Sequence, residues 1–434
     1  MKVLGLDIGT TTVSAVVVEN HQVLSSVTLK NESFIRPENS WERIQDPEYI
    51  RNTALKAVEG MLAEYPDVER IGVTGQMHGI VYLNAEGDPV SPLYIWQDGR
   101  GDLPYQDGKT YAGYIQSVTG YSVATGYGLV THFYNMKNGL VPDDAVVFCT
   151  IHDYIAMILA GLSVPVTEAS DAASFGLFNV EQGHFDETAL KEVGINGQML
   201  PKLEGESCVG YYKQKIPVFA AIGDNQASFL GATGGDVACM LVNVGTGSQF
   251  SVYSESYMNC AGLETRPFPG RGYLLVGASL CGGRAYALME NYIRDIVERI
   301  GGLHMESCYS AMDCVLSNAQ KPSNLPETRP LFQGTRENPT VRGGISGLST
   351  DNFTITHMLW SMLDGMAQEL YDMYGIYERQ GGNNVKLIGS GNGLRKNKHL
   401  QQCFTEKFNQ QLVMSECNEE AATGAALYAA MVVY

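Results

Sequence analysis

The sequence predicts a duplicated α/β protein, with two domains (residues 1–232 and 233–434) facing each other across a central cleft. Three observations lead there. At 434 residues the chain is longer than one hydrophobic core ordinarily serves. A β-branched strand that breaks at a short Gly/Thr turn and resumes occurs twice, as "VLGLDIGTTTVSAVVV" (3–18) and "MLVNVGTGSQFSVYS" (240–254). Aligned on the turn, Asp7-Ile8-Gly9-Thr10-Thr11 lies against Asn243-Val244-Gly245-Thr246-Gly247, and the same order of elements follows each copy.

After the first hairpin, "DPEYIRNTALKAVEGMLAEY" (46–65) opens on Asp-Pro and continues with apolar residues at helical spacing. "ERIGVTG" (69–75) reads as a strand, "AVVFCT" (145–150) as another, and "IHDYIAMILAG" as the helix that follows it. In the second half the order is a long amphipathic helix over 353–379, a strand at 385–391, a helix near 395–409, a strand at 411–416 and a terminal helix at 420–431. The halves meet near residue 232 without a Pro- or Ser-rich linker, which predicts a packed hinge. "KPSNLPETRP" (321–330) reads as a surface connection within the second half.

Hydrophobic residues make up 44% of the chain and charged residues 18%, the balance of a globular protein. The net charge of −18 argues against a nucleic-acid or anionic-membrane partner. An anionic ligand would then be held by backbone N–H groups, hydroxyls and a bound cation. Nine scattered cysteines with no C-x-x-C pair suit reduced thiols, and so a cytoplasmic location. Asp7 and Glu19 within the first strands do not suit a signal peptide, and no apolar run reaches the length of a membrane span.

The Gly/Thr turns are either solvated hairpin tips or anion-binding concavities made of N–H groups and hydroxyls. "GSGNG" (389–393) lies between a strand and a helix, where glycines let a base or ribose approach the backbone and a helix N-terminus favours a phosphate. In "AAIGDNQASFLGA" (220–232), Asp224 stands at a strand-to-helix junction, as a helix N-cap or as a general base on a cleft floor. "GVTGQMHGIV" (72–81) and "YIWQDGR" (94–100) gather Gln76, Met77, His78, Trp96, Gln97, Asp98 and Arg100. Amide, imidazole, indole and carboxylate groups suit a polyol, although His78 and Trp96 also fit purely structural roles. No H-E-x-x-H, G-x-S-x-G or complete Walker A loop is present.

Together these segments resemble the FGGY carbohydrate kinases of the actin/hexokinase/Hsp70-like superfold, and within them the sedoheptulokinase branch. "LDIGTT" and "NVGTGS" are similar to the two phosphate segments, "GQMHG" and "WQDGR" to the sugar loops, "GDNQ" to the catalytic-base segment and "GSGNGLRKN" to the adenosine segment. "DYIAMILAGLSVPVTEASDAASFGLFNV" resembles the S-D-A-S segment, and "PLFQGTRENPTVRGGISGL" (330–348) the stretch most characteristic of the branch. The resemblance implies two ribonuclease H-like domains and transfer of a phosphoryl group from ATP to the terminal primary hydroxyl of a ketose, most like sedoheptulose. It implies Asp224 as the base, Gln76, Met77, His78, Trp96 and Asp98 as sugar ligands, and Thr10, Thr11, Thr12, Gly245, Thr246, Gly389, Gly391 and Asn392 at ATP. Asp7 and Asp224 would be the carboxylates for Mg2+, and a homodimer is a candidate assembly. Two departures stand out. Ser14 occupies a place where the family often has a basic residue, and "ATGYGLVTHFYNMKNG" (124–139) replaces the usual segment with Lys and Trp. The alternatives are a kinase for xylulose, ribulose or glycerol, and a non-catalytic sugar or nucleotide sensor.

Overall fold

A computed structural model describes residues 1–432, apart from 206, 336, 337, 339 and 384. The chain forms two compact units: Met1–Asp236 with Arg266–Leu274 and the segment from Cys417 onward, and Val237–Thr265 with Leu275–Glu416.

The first unit is built on a seven-stranded sheet. Its strands are β1 (Lys2–Ile8), β2 (Thr12–Glu19), β3 (Gln22–Lys30), β4 (Val68–Gly75), β5 (Cys208–Tyr212), β6 (Ile216–Phe219) and β7 (Ile222–Gly223). The order is β5-β6-β4-β1-β2-β3, with β7 also paired to β4. β1 and β2 are antiparallel; β4 runs parallel to β1, and β6 and β7 parallel to β4. β1 and β2 are almost continuously apolar because both of their faces are covered. Helix α1 (Pro47–Glu64) begins where predicted: Asp46 caps it by accepting from the N–H groups of Glu48 and Tyr49, and Pro47 needs no partner for an N–H it lacks. Helix α2 (Ile151–Ala160) is capped by Thr150, and α3 (Asp224–Thr233) follows β7 directly.

In the second unit β8 (Cys239–Val244), β9 (Ser248–Ser254), β10 (Tyr273–Ser279), β11 (Lys386–Ser390) and β12 (Val413–Met414) lie in the order β10-β9-β8-β11-β12. β8 and β9 form the antiparallel hairpin, and β11 is parallel to β8. The duplication is therefore topological: third, second and first strands, then a parallel one, in both sheets. Asp7 pairs with Thr74 across β1 and β4, just as Asn243 pairs with Ser390 across β8 and β11. Helices α4 (Gly282–Arg299) and α5 (Ile355–Arg379) complete the core, with Trp360, Leu363 and Leu370 of α5 buried in it.

The compact units depart from the expected 1–232 and 233–434: the first runs on to Asp236, takes in Arg266–Leu274, and includes the last helix. Helix α6 (Glu420–Met431), expected as the last element of the second domain, packs in the first unit. A Cβ on Gly5 of β1 would stand 1.9 Å from the Ala422 carbonyl oxygen, and one on Gly72 of β4 2.0 Å from that of Ala425. Between α6 and α3 the approach is as close: a Cβ on Gly424 would meet the Ala227 oxygen at 1.7 Å. Backbones can meet at these distances only where side chains are missing, so this set of glycines and the small residues of α6 fix its place.

Candidate active site

Strands β1, β4 and β7 are parallel and end in register, with Ile8 opposite Gly75 and Gly75 opposite Gly223. Their C-terminal ends release three loops at one edge of the sheet, the usual place for ligands on such sheets. A pocket of about 400 Å³ opens there, lined by Asp7, Gly9, Thr10, Gln76, Met77, His78, Trp96 and Asp224. Seven of the residues singled out from the sequence are thus brought together on the first unit.

The loops are tied to one another. The Thr10 hydroxyl donates to Gln76 Oε1 (3.0 Å) and accepts from Trp96 Nε1 (3.1 Å). Gln76 Nε2 donates to Gln45 Oε1 (2.9 Å), and Gln45 Nε2 to the Thr10 carbonyl (2.8 Å). Trp96 keeps 46% of its surface exposed, an unusual state for an indole and one suited to stacking on a ligand. His78 takes a left-handed backbone conformation (φ +73°), and its ring stacks on Tyr127 with centroids 4.4 Å apart. The Thr11 side chain is exposed, and the carbonyls of Gly9 and Thr11 are held by Asn31. Thr12 opens β2.

Asp224 is the first residue of α3, and the N-cap is Gly223, so the helix-cap reading of Asp224 does not hold. Its Oδ1 accepts from Asn225 Nδ2 at 2.8 Å. Burial, reinforced by the charge of Asp224, pushes the Asp7 carboxyl up to about 7; Glu419 adds to this, and His152 works against it. Ser14, opposite Asp7 on β2, is buried and shares a hydrogen bond with the Thr28 hydroxyl.

Asp98 is a correction. It is wholly buried, and both oxygens are in use: Oδ1 accepts from Arg100 N and Nε (3.1 and 2.6 Å), and Oδ2 from Arg43 N and Arg100 Nη2 (3.0 and 3.2 Å). The Arg100 guanidinium lies over the Tyr94 ring, 4.1 Å from its centroid. The pair organises the loop that presents Trp96, and Asp98 does not line the pocket.

Asn225, Ser228 and Ala421 also line it and were not foreseen. Asn225 and Ser228 adjoin Asp224 on α3, and Ser228, one helical turn from it, was open to discovery by spacing. Ala421 offers no such signal, since it arrives from the far end of the chain.

On the second unit the turn at Gly245–Gly247 is braced by the start of α4. Gly283 N donates to the Gly245 carbonyl (2.9 Å) and Arg284 N to that of Thr246 (3.0 Å). This helix start carries no predicted site residue. The Gly389–Gly391 loop meets the same strand end, with Asn243 Nδ2 donating to Ser390 Oγ at 2.7 Å. Gly391 has φ +85°, and a Cβ there would stand 2.5 Å from the Val244 carbonyl oxygen, so glycine is required by the fold itself. Asn392 begins the short helix that follows. Of the 330–348 stretch, residues 336, 337 and 339 lie outside the described residues.

Among the described residues, no group of three or more His, Cys, Asp or Glu side chains could hold a metal ion, and no helix is long and apolar enough to cross a membrane.

Comparison with known proteins agrees along the whole chain. The N-terminal domain of the FGGY family of carbohydrate kinases matches residues 2–240, and its C-terminal domain residues 240–433. Human sedoheptulokinase is 28% identical, the match covering 98% of this chain and 96% of that protein. A glycerol kinase of Nitrosomonas eutropha is 25% identical over 99% and 89%. Among solved structures, xylulose kinase from Rhodospirillum rubrum superposes with a TM-score of 0.83 at 19% identity, covering 99% of this chain and 90% of that one. Plasmodium falciparum glycerol kinase with ADP gives 0.79 at 19%, over 99% and 89%. Matched in both halves, the chain belongs to the FGGY family of carbohydrate kinases, which are ATP-dependent phosphotransferases.

Proposed function

We propose that the chain transfers the γ-phosphoryl group of ATP to the terminal primary hydroxyl of a ketose, with sedoheptulose the leading substrate. The observation that carries this reading is the single pocket shared by a carboxylate at a helix start and the groups that suit a polyol. Trp96 offers a ring to the apolar face of the sugar, while Gln76 and His78 offer hydrogen bonds to its hydroxyls. The full-length match to sedoheptulokinase favours that sugar over xylulose and glycerol, whose kinases match with somewhat lower identity.

Asp224 would accept the proton of the attacking hydroxyl, a contribution typically worth about 10²–10⁴-fold. Thr10, Thr11 and Thr12 on the first unit, and Gly245, Thr246, Gly389, Gly391 and Asn392 on the second, are the proposed nucleotide contacts. Backbone N–H groups and hydroxyls suit phosphates in a chain of strongly negative net charge. The donor set also fits Mg2+, which binds through one or two carboxylates plus phosphates and water and needs no three-residue cluster. Asp7 and Asp224 would hold it, since burial and the nearby Asp224 charge make an ionised Asp7 costly until a cation is present. Bound there, Mg2+ supplies charge neutralisation for the phosphates.

The test is ADP release measured over a panel of sedoheptulose, xylulose, ribulose and glycerol, with Asp224→Asn alongside. The reading predicts turnover highest with sedoheptulose, and for Asp224→Asn a kcat reduced about 100-fold or more with both substrates still bound. A preference for glycerol, or full turnover by Asp224→Asn, would refute the substrate or the base respectively.

A further inference from the structure

Beneath the pocket lies a layer of polar side chains that the chemistry above does not use. The short helical segment that follows Thr167 carries Glu168, Ser170, Asp171 and Ser174, all buried, and α2 adds His152 from below. Buried polar groups are costly unless each is matched, so their partners reveal what they hold. Asp171 Oδ1 lies 3.0 Å from His152 Nε2 and accepts from Ser174 Oγ at 3.3 Å, while Oδ2 accepts from Thr150 Oγ1 at 2.7 Å. Although burial alone would raise Asp171, the adjacent His152 ring and the hydrogen bond from Thr150 hold its carboxyl below the usual range.

Two members of this layer reach up to the pocket. Ser174 Oγ accepts from the His78 N–H at 3.1 Å, and the Ser174 carbonyl accepts from His78 Nδ1 at 2.8 Å. These bonds restrain a non-glycine residue in a left-handed conformation, which needs outside support to persist. They also assign the tautomer: Nδ1 carries the proton, and Nε2 is the acceptor nitrogen of the neutral ring. Ser170 Oγ donates to Glu168 Oε2 and accepts from the Gly223 N–H at 3.0 Å. Gly223 is the N-cap of α3, the residue before Asp224.

We propose that the buried helical segment 168–174, anchored through Asp171 beside His152, is the positioning element of the pocket, with Ser174 setting His78 for the sugar and Ser170 setting Asp224 for the proton. Both serines act through another residue and touch no substrate. This rests on the kinase reading above and adds a division of labour to it.

The experiment is steady-state kinetics on the full chain with ATP and its best ketose, for Ser174→Ala, Ser170→Ala, His78→Ala, Asp224→Asn and the two pairs Ser174→Ala/His78→Ala and Ser170→Ala/Asp224→Asn. Loss of one hydrogen bond corresponds to a factor of about 3 to 10. Ser174→Ala should raise the sugar KM by that factor with kcat nearly unchanged, and Ser170→Ala should lower kcat by it with the sugar KM nearly unchanged. Each double variant should be no worse than its His78 or Asp224 single, because the serine has nothing left to position. If Ser174→Ala does not fold, Ser174→Cys, with a weaker acceptor of similar size, is read for the same rise in KM. Equal losses of kcat in both serine variants, or additive doubles, would overturn the inference while leaving the kinase reading intact. Full activity of both His78→Ala and Asp224→Asn would overturn the two together.

Discussion

Asp7 shows how burial and neighbouring charges together act on one carboxyl, and what that would mean if it holds Mg2+ as proposed. Its carboxyl is pushed up to about 7 first by burial and then by Asp224 and Glu419. Below that pH a proton occupies the group and a cation must displace it; above it the carboxylate is free. Binding of Mg2+-ADP should therefore weaken about tenfold per pH unit below 7 and level off above it. Calorimetric titration at pH 5.5, 6.5 and 8 checks this, with Asp7→Asn correcting for protonation of the nucleotide itself; equal slopes for both proteins would exclude Asp7 as the ligand. That His78, Trp96 and Asp224 would come together was legible from the motifs "GQMHG", "WQDGR" and "GDNQ", and all three line one pocket. Asp98 looked the same in sequence, yet its carboxylate belongs to Arg100 and to the N–H of Arg43. A carboxylate beside an aromatic reads as a sugar ligand until its own partners are seen.

At the scale of elements, the helices and strands read from the sequence followed from periodicity and caps, whereas β3, β5, β6, β10 and α4 were not read there. α1 was expected at 46–65 and spans Pro47–Glu64, and α5 was expected at 353–379 and spans Ile355–Arg379. The hairpins followed from β-branched runs around Gly/Thr turns. What periodicity does not carry is the contact between elements, and α6 is the case in point. Gly72→Ala should lower stability by about 1–3 kcal/mol or more, because its methyl would meet the Ala425 carbonyl at 2.0 Å and push α6 off the sheet. Gly60→Ala in α1, where a Cβ would meet nothing within 4 Å, should instead be neutral or stabilise by about 1 kcal/mol. Urea denaturation of the two variants separates them; a Gly72→Ala protein as stable as Gly60→Ala would mean the helix–sheet contact is looser than described.

For the whole molecule, the first unit is discontinuous in sequence, so its stability depends on the distant segment from Cys417 onward. A chain ending at Glu416 lacks α6 and leaves the glycine-lined face of β1 and β4 open. It should lose the folded first unit, seen as aggregation or as rapid proteolysis within residues 1–236. A soluble 1–416 chain with the melting temperature of the full protein would contradict this.

The sequence by itself determined the duplicated α/β plan, the hairpins, the strand ends that carry Asp7, Gln76 and Asp224, and the family. All of these are written in local spacing: two residues per strand repeat, 3.6 per helical turn, and short motifs contiguous along the chain. Tertiary structure decided three matters. It sent Asp98 inward and left Trp96 exposed, joined α6 to the first sheet, and set Ser170 and Ser174 beneath Asp224 and His78. The physical reasons differ: Asp98 is turned inward by Arg100, two residues along, together with the distant N–H of Arg43, whereas α6 is placed by close glycine contacts with strands far away in sequence. Ser170 and Ser174 are set by the pairing of buried polar groups with residues far apart in sequence, and no local pattern records such a pairing.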